Sequence, residues 1–196
     1  NGEAEGLAAL EFLARQPATA RHVAIKLARH FVADDPPPLA VEHLTAVFLE
    51  TQGDLPSLHR ALVEMEAPWA QPLFKLRTPL DLVLATLRAL DLTDRRAIAG
   101  ALGSLKELGQ MPFAAPSPAG WPDRALAWAA PDQILRRVDW AAVAGERLAR
   151  LADPTLYLET ALGAFADREL RFQVANAPSR AEALATVLAS PGFQRR

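Results

Sequence analysis

Leu80, Val83, Leu84, Leu87 and Leu90 recur at steps of three and four residues, which gathers them on one side of a helix while Asp81 and Arg88 stay wet. The same spacing returns in Ala20, Val23, Ala24, Leu27 and Phe31, in Leu44, Val47 and Phe48, and in Leu58, Leu62 and Met65. Farther along it marks Leu135 and Val138, then Leu158, Leu162 and Phe165, and last Leu184, Val187 and Leu188. No run of strand length alternates apolar with polar positions. The pattern predicts an all-α fold, an orthogonal bundle of about eight to ten short helices, built as a single domain over residues 1–196.

Helix starts can be read from the capping chemistry. Thr78-Pro79-Leu80-Asp81 sets a hydroxyl before a proline with no amide hydrogen to waste, and a carboxylate three positions on. Ser179-Arg180-Ala181-Glu182 has the spacing of a capping box, and Asp153-Pro154, Asp167 and Thr93-Asp94 offer further starts. Prolines interrupt the string twice. Pro36-Pro37-Pro38 predicts a stiff connector, and Gly109 to Asp123 predicts a long proline-rich loop, because its four prolines lack donors and restrict the residues before them. Loops of that length are commonly functional or disordered, and Met111, Phe113 and Trp121 favour order through packing.

Composition narrows the class without naming a function. Half of the 196 residues are apolar (51%) and 22% are charged, the balance of a chain that folds. The absence of cysteine excludes disulfides, a thiolate nucleophile and cysteine-type zinc sites. A formal charge of −2 argues against a nucleic-acid partner, and no segment approaches the roughly 20 apolar residues of a membrane span. The first residues lack the layout of a secretory signal.

Candidate chemistry is sparse. His22, Lys26 and Arg29, with His30 beside them, lie on one side of the helix predicted from Thr19 to Ala33. They form either an anion-binding strip or an ordinary solvated face. The spacing of the histidines demands no metal site, and no cofactor is expected. The serines sit in no nucleophile turn, and no glycine-rich phosphate loop is present. Lys75 and Arg77 immediately precede the Thr78 helix start, where an anion would find free amides; alternatively one of them pairs with a buried acid and orients the helix. Arg136-Arg137 before Asp139-Trp140 allows the same two readings. Trp69, Trp121, Trp128 and Trp140 either form a stacking surface or plug junctions between helices and loops.

Several strings occur together in order: Pro17-Ala18-Thr19-Ala20-Arg21, Lys26 through Pro37, Gly53-Asp54-Leu55, Lys75-Leu76-Arg77-Thr78-Pro79, Gly109-Gln110, Pro118 through Pro122, and Ser190 through Arg196. With them the chain resembles, over nearly its whole length, the C-terminal part of the bacterial domain-of-unknown-function family 1800. It departs at Gln16, where the family usually has histidine, and at Gly192, where it usually has an acidic residue. The resemblance implies an exported or periplasmic bacterial protein, longer than this chain, often encoded beside another exported protein of unknown function. Its N-terminal half, absent here, is then a natural partner.

The expected role is an interaction or accessory domain, not catalytic on its own. The alternative is part of a hydrolase or polymer-modifying enzyme whose site needs the missing half, with His22, Lys26 and His30 contributing. The expected binding surface is the 109–123 loop with Trp121 and Phe113, followed by Lys75 and Arg77.

Overall fold

The computed structural model describes residues 2–70 and 74–196. Among these the fold is all-α, with ten α-helices and two short 3-10 turns. In chain order the helices are α1 (Glu3–Ala14), α2 (Pro17–Phe31), α3 (Pro38–Glu50), α4 (Leu55–Glu64), α5 (Pro79–Ala89), α6 (Arg95–Glu107), α7 (Pro131–Leu148), α8 (Pro154–Ala161), α9 (Arg168–Ala175) and α10 (Arg180–Ala189). They group into two compact units, residues 1–75 and 76–196, each with its own core.

The caps form where the sequence placed them. Thr78 and Asp81 make the full reciprocal box at α5, and Asp94, Asp153, Asp167 and Ser179 each accept first-turn amides of their helices. Each such cap contributes about 1 kcal/mol, enough to fix a boundary but not a packing partner. Proline opens α2, α3, α4, α5, α7 and α8, where its missing donor costs nothing.

In the first unit, Ala20, Ala24 and Ala28 recur every fourth residue on α2 and are wholly buried against α3, which contributes Val41, Leu44 and Phe48. The small side chains let the two helices approach closely, so the larger Phe31 at the end of the stripe is left exposed. Leu58 and Leu62 of α4 close this core.

In the second unit, α7 and α10 pack at Gly145, where an added Cβ would stand 2.5 Å from the Ala181 carbonyl and 3.1 Å from the Ala185 methyl. Around this contact lie Trp140, Ala141, Leu184, Val187 and Leu188, with Leu82, Val83, Tyr157, Leu158 and Phe193.

Beyond Phe31 on α2, residues expected to face inward are exposed on α5, on α7 and just after α8. On α5 the buried stripe is Pro79, Leu82, Val83 and Thr86, while Leu80 and Leu84 are exposed. On α7 the buried stripe is Arg137, Trp140, Ala141, Gly145 and Leu148, and Leu135 and Val138 face outward. Leu158 and Leu162 are core, whereas Phe165, in a 3-10 turn after α8, is exposed. On α5 and α7 apolar residues lie on more than one side, so local spacing admits two stripes, and packing selects the one that holds Thr86 on α5 and Arg137 with Gly145 on α7.

Candidate interaction surface

Between the end of α6 and the 3-10 turn at Ala125–Ala127 the chain carries no helix. It leaves α6 through Gly109 at φ +80°, and Gln110 then turns inward and is buried. The Gln110 side-chain oxygen accepts the Leu80 amide at 2.8 Å, in the first turn of α5. One glutamine thus anchors the base of the loop to a helix start. The next residues form a tight turn in which the Ala114 amide donates to the Met111 carbonyl at 3.2 Å. Pro112 takes the first central position and Phe113 the second, at φ +60°, the pattern of a type II turn.

That second position belongs by preference to glycine. A Cβ there crowds the backbone and costs roughly 1–2 kcal/mol. Phe113 bears this strain with its ring fully exposed, although burying a phenyl ring is worth about 1.5–3 kcal/mol. Both costs fall on one side chain at the tip of an anchored turn.

The far arm of the loop is pinned by aromatic packing. Trp128 is buried, its indole nitrogen donates to the Pro122 carbonyl at 3.0 Å, and the Trp121 ring lies 6.1 Å from it at a tilt of 51°. Trp121 itself is only partly buried. Of the four tryptophans, Trp128 and Trp140 are buried, while Trp69 is exposed with its nitrogen on the Val63 carbonyl at 3.0 Å.

The remaining candidates are placed separately. Lys75 is buried in the first unit and pairs with Asp34 at 2.5 Å. Arg77, in the second unit, donates to the Phe193 carbonyl at 2.6 Å and lies over the Phe193 ring at 4.9 Å from its centroid. Desolvation lowers its pKa, opposed by the neighbouring Asp81 carboxylate. The amides at the start of α5 are already used: Asp81 donates to the Thr78 hydroxyl at 3.2 Å and Leu80 to Gln110. His22, Lys26 and His30 are exposed on α2, and the His30 ring stands edge-on to Phe31 at 4.5 Å. Among the described residues no group of three or more histidines and carboxylates gathers as a metal site would require. No helix there is long and apolar enough to cross a membrane.

Two further features bear on the surface, the first of them in the Arg136-Arg137 pair, which the sequence allowed as either an anion site or a buried anchor. Arg137 is buried to 3% exposure, and its guanidinium donates to the Gln194 side chain at 2.7 Å and the Arg77 carbonyl at 2.8 Å. Burial brings its pKa down to about 10. Helix α1 is the second: it buries none of its residues, and Leu7, Leu10, Phe12 and Leu13 are each more than half exposed. The signal for α1 was available in its composition, since it is apolar on several sides and lacks a capping side chain at Gly2.

No curated protein and no solved structure matches the chain. A family model does, over residues 1–195: the chain belongs to DUF1800, a family of proteins of unknown function.

Proposed function

We propose that this chain is an accessory domain of an exported bacterial protein, that it holds the remaining part of its own polypeptide, and that it does not catalyse a reaction by itself. The observation that carries this reading is α1. A helix of twelve residues with a glycine in its interior is marginal in water unless a packed face supports it. Within its unit α1 is tied to the start of α2 near its end, where Thr19 donates to the Leu13 carbonyl at 2.6 Å and Gln16 to the Phe12 carbonyl at 3.0 Å. Leu7, Leu10 and Leu13 share one side of it and are each more than half exposed. An apolar stripe of this kind marks an interaction site.

The test is to mix this chain with the separately produced N-terminal part of the same polypeptide and measure association by calorimetry. Leu10→Glu weakens association at least tenfold and leaves the melting temperature of the chain unchanged, because Leu10 packs in no core. Equal affinity of the variant, or no association of the two parts, ends the proposal.

A further inference from the structure

We infer that the turn Met111-Pro112-Phe113-Ala114 is a preformed anchor for a separate protein that offers a ring-sized apolar pocket with an uncharged rim. This site lies in the second unit and is independent of the α1 reading.

Three observations converge on it. Phe113 occupies a backbone conformation that glycine would adopt without strain, and its ring is fully exposed. Strain held at an exposed position without any folding benefit is characteristic of a residue kept for what it binds. The turn is also rigid: Pro112 fixes its first corner, Ala114 closes it by a hydrogen bond, and the buried Gln110 ties its base to α5. A rigid aromatic loses little freedom on binding, which is why such residues dominate the energetics of interfaces.

The partner's chemistry follows from the composition of the loop that carries the ring. Residues 109–122 contain no Asp, Glu, Lys or Arg, so nothing there draws the tip toward phosphates, nucleic acid or an anionic membrane. A lone phenyl ring without flanking cations presents too little apolar area to hold a lipid surface. A protein pocket, which adds its rim to the contact, fits a single rigid ring on a neutral turn.

The experiment places the photo-crosslinking residue benzoylphenylalanine at position 113 of the natural full-length protein in its own cells, and at the exposed Phe172 of α9 as a control. The expected result is one discrete adduct with a second protein from position 113 and none from 172. With that protein purified, Phe113→Gly weakens binding at least tenfold while the melting temperature of the variant stays equal or rises. A lipid adduct, an adduct only with another copy of this chain, no adduct, or undiminished binding by Phe113→Gly overturns the inference. A fall in the melting temperature of Phe113→Gly also overturns it, because the ring would then serve the fold.

Discussion

The Arg137 guanidinium donates to the main-chain carbonyl of Arg77 at 2.8 Å, and Arg77 in turn donates to the carbonyl of Phe193 at 2.6 Å. The relay ties the first residues of the second unit to its last ones. The Arg77 amide also donates to the Gln194 carbonyl at 2.8 Å, and Leu76 bridges Arg195 in antiparallel fashion. Phe193 is thereby held in the core against Tyr157, with their ring centroids 6.0 Å apart.

Arg137 meets only neutral acceptors, so its contribution comes from hydrogen bonds that one rigid fork can make in two directions. Hydrogen bonds to a charged group are worth about 1.5–3 kcal/mol each. Arg137→Ala therefore lowers stability by roughly 3 kcal/mol in a urea titration and speeds hydrogen exchange at Gln194. Arg137→Lys restores less than half of the loss, because an ammonium cannot reproduce the fork. Full stability of either variant would show that the C-terminal segment is held by other contacts.

Tyr157 is the chain's single tyrosine, so its ionisation can be followed by absorbance without ambiguity. Its hydroxyl is buried with no hydrogen bond of ordinary geometry, and burial raises its pKa well above the usual 10.0; nearby Thr86 and the Arg77 charge only partly oppose this. The folded state keeps the proton after the unfolded chain has lost it. The stability tied to this group is thus complete below pH 10 and declines as the pH rises beyond it. Arg137, brought down from 12.5 to about 10, acts in the opposite sense over the same range, since there the unfolded chain binds more protons. Net stability is therefore a blunt probe, and absorbance the sharp one. Phenolate signal is expected to appear only together with unfolding; a signal rising at pH 10 in the folded protein would contradict the burial of Tyr157.

Gly145 and Gly100 are both helical glycines, and they separate propensity from packing. Alanine is favoured over glycine in a helix interior by about 1 kcal/mol. At Gly100 nothing lies within 4 Å of the added Cβ, so Gly100→Ala raises stability by up to about that amount. At Gly145 the Cβ meets backbone at 2.5 Å, and α7 and α10 must separate. Gly145→Ala costs about 1–3 kcal/mol despite the better propensity. Thermal melts of the two variants are expected to shift in opposite directions.

The pair Lys75–Asp34 joins the start of the connector after α2 to residues 41 positions away. Lys75→Met removes the buried ammonium that pairs with the Asp34 carboxylate and costs about 2 kcal/mol. Adding Asp34→Asn recovers part of that loss, so a double-mutant cycle returns a coupling of at least about 0.5 kcal/mol. Strictly additive effects would reduce the pair to a surface contact.

Helix boundaries were legible because they depend on neighbours in sequence. Asp153, Asp167, Ser179 and the Thr78–Asp81 box reach amides three positions away, and proline at a first turn acts on its own backbone. The candidate surface was legible only as far as the loop. Its prolines forbid helix, but which of Met111, Phe113 and Trp121 would stay outside depended on contacts the loop makes elsewhere. Of the three expected to order the loop by packing, Met111 lies against the core and Trp121 against Trp128, whereas Phe113 stays outside and Gln110 anchors the base.

The all-α class, the capped ends and the break after α6 follow from local sterics and hydrogen bonding, and these the amino-acid sequence determined by itself. The buried faces of α5 and α7 were settled by tertiary structure alone. On α7 both Leu135 with Val138 and Arg137 with Trp140 satisfy helical spacing. The second stripe goes inward because Gly145 admits α10 and because the Gln194 side chain and the Arg77 carbonyl accept from the guanidinium. Those partners come from 57 residues away in the case of Gln194, beyond the reach of any local pattern.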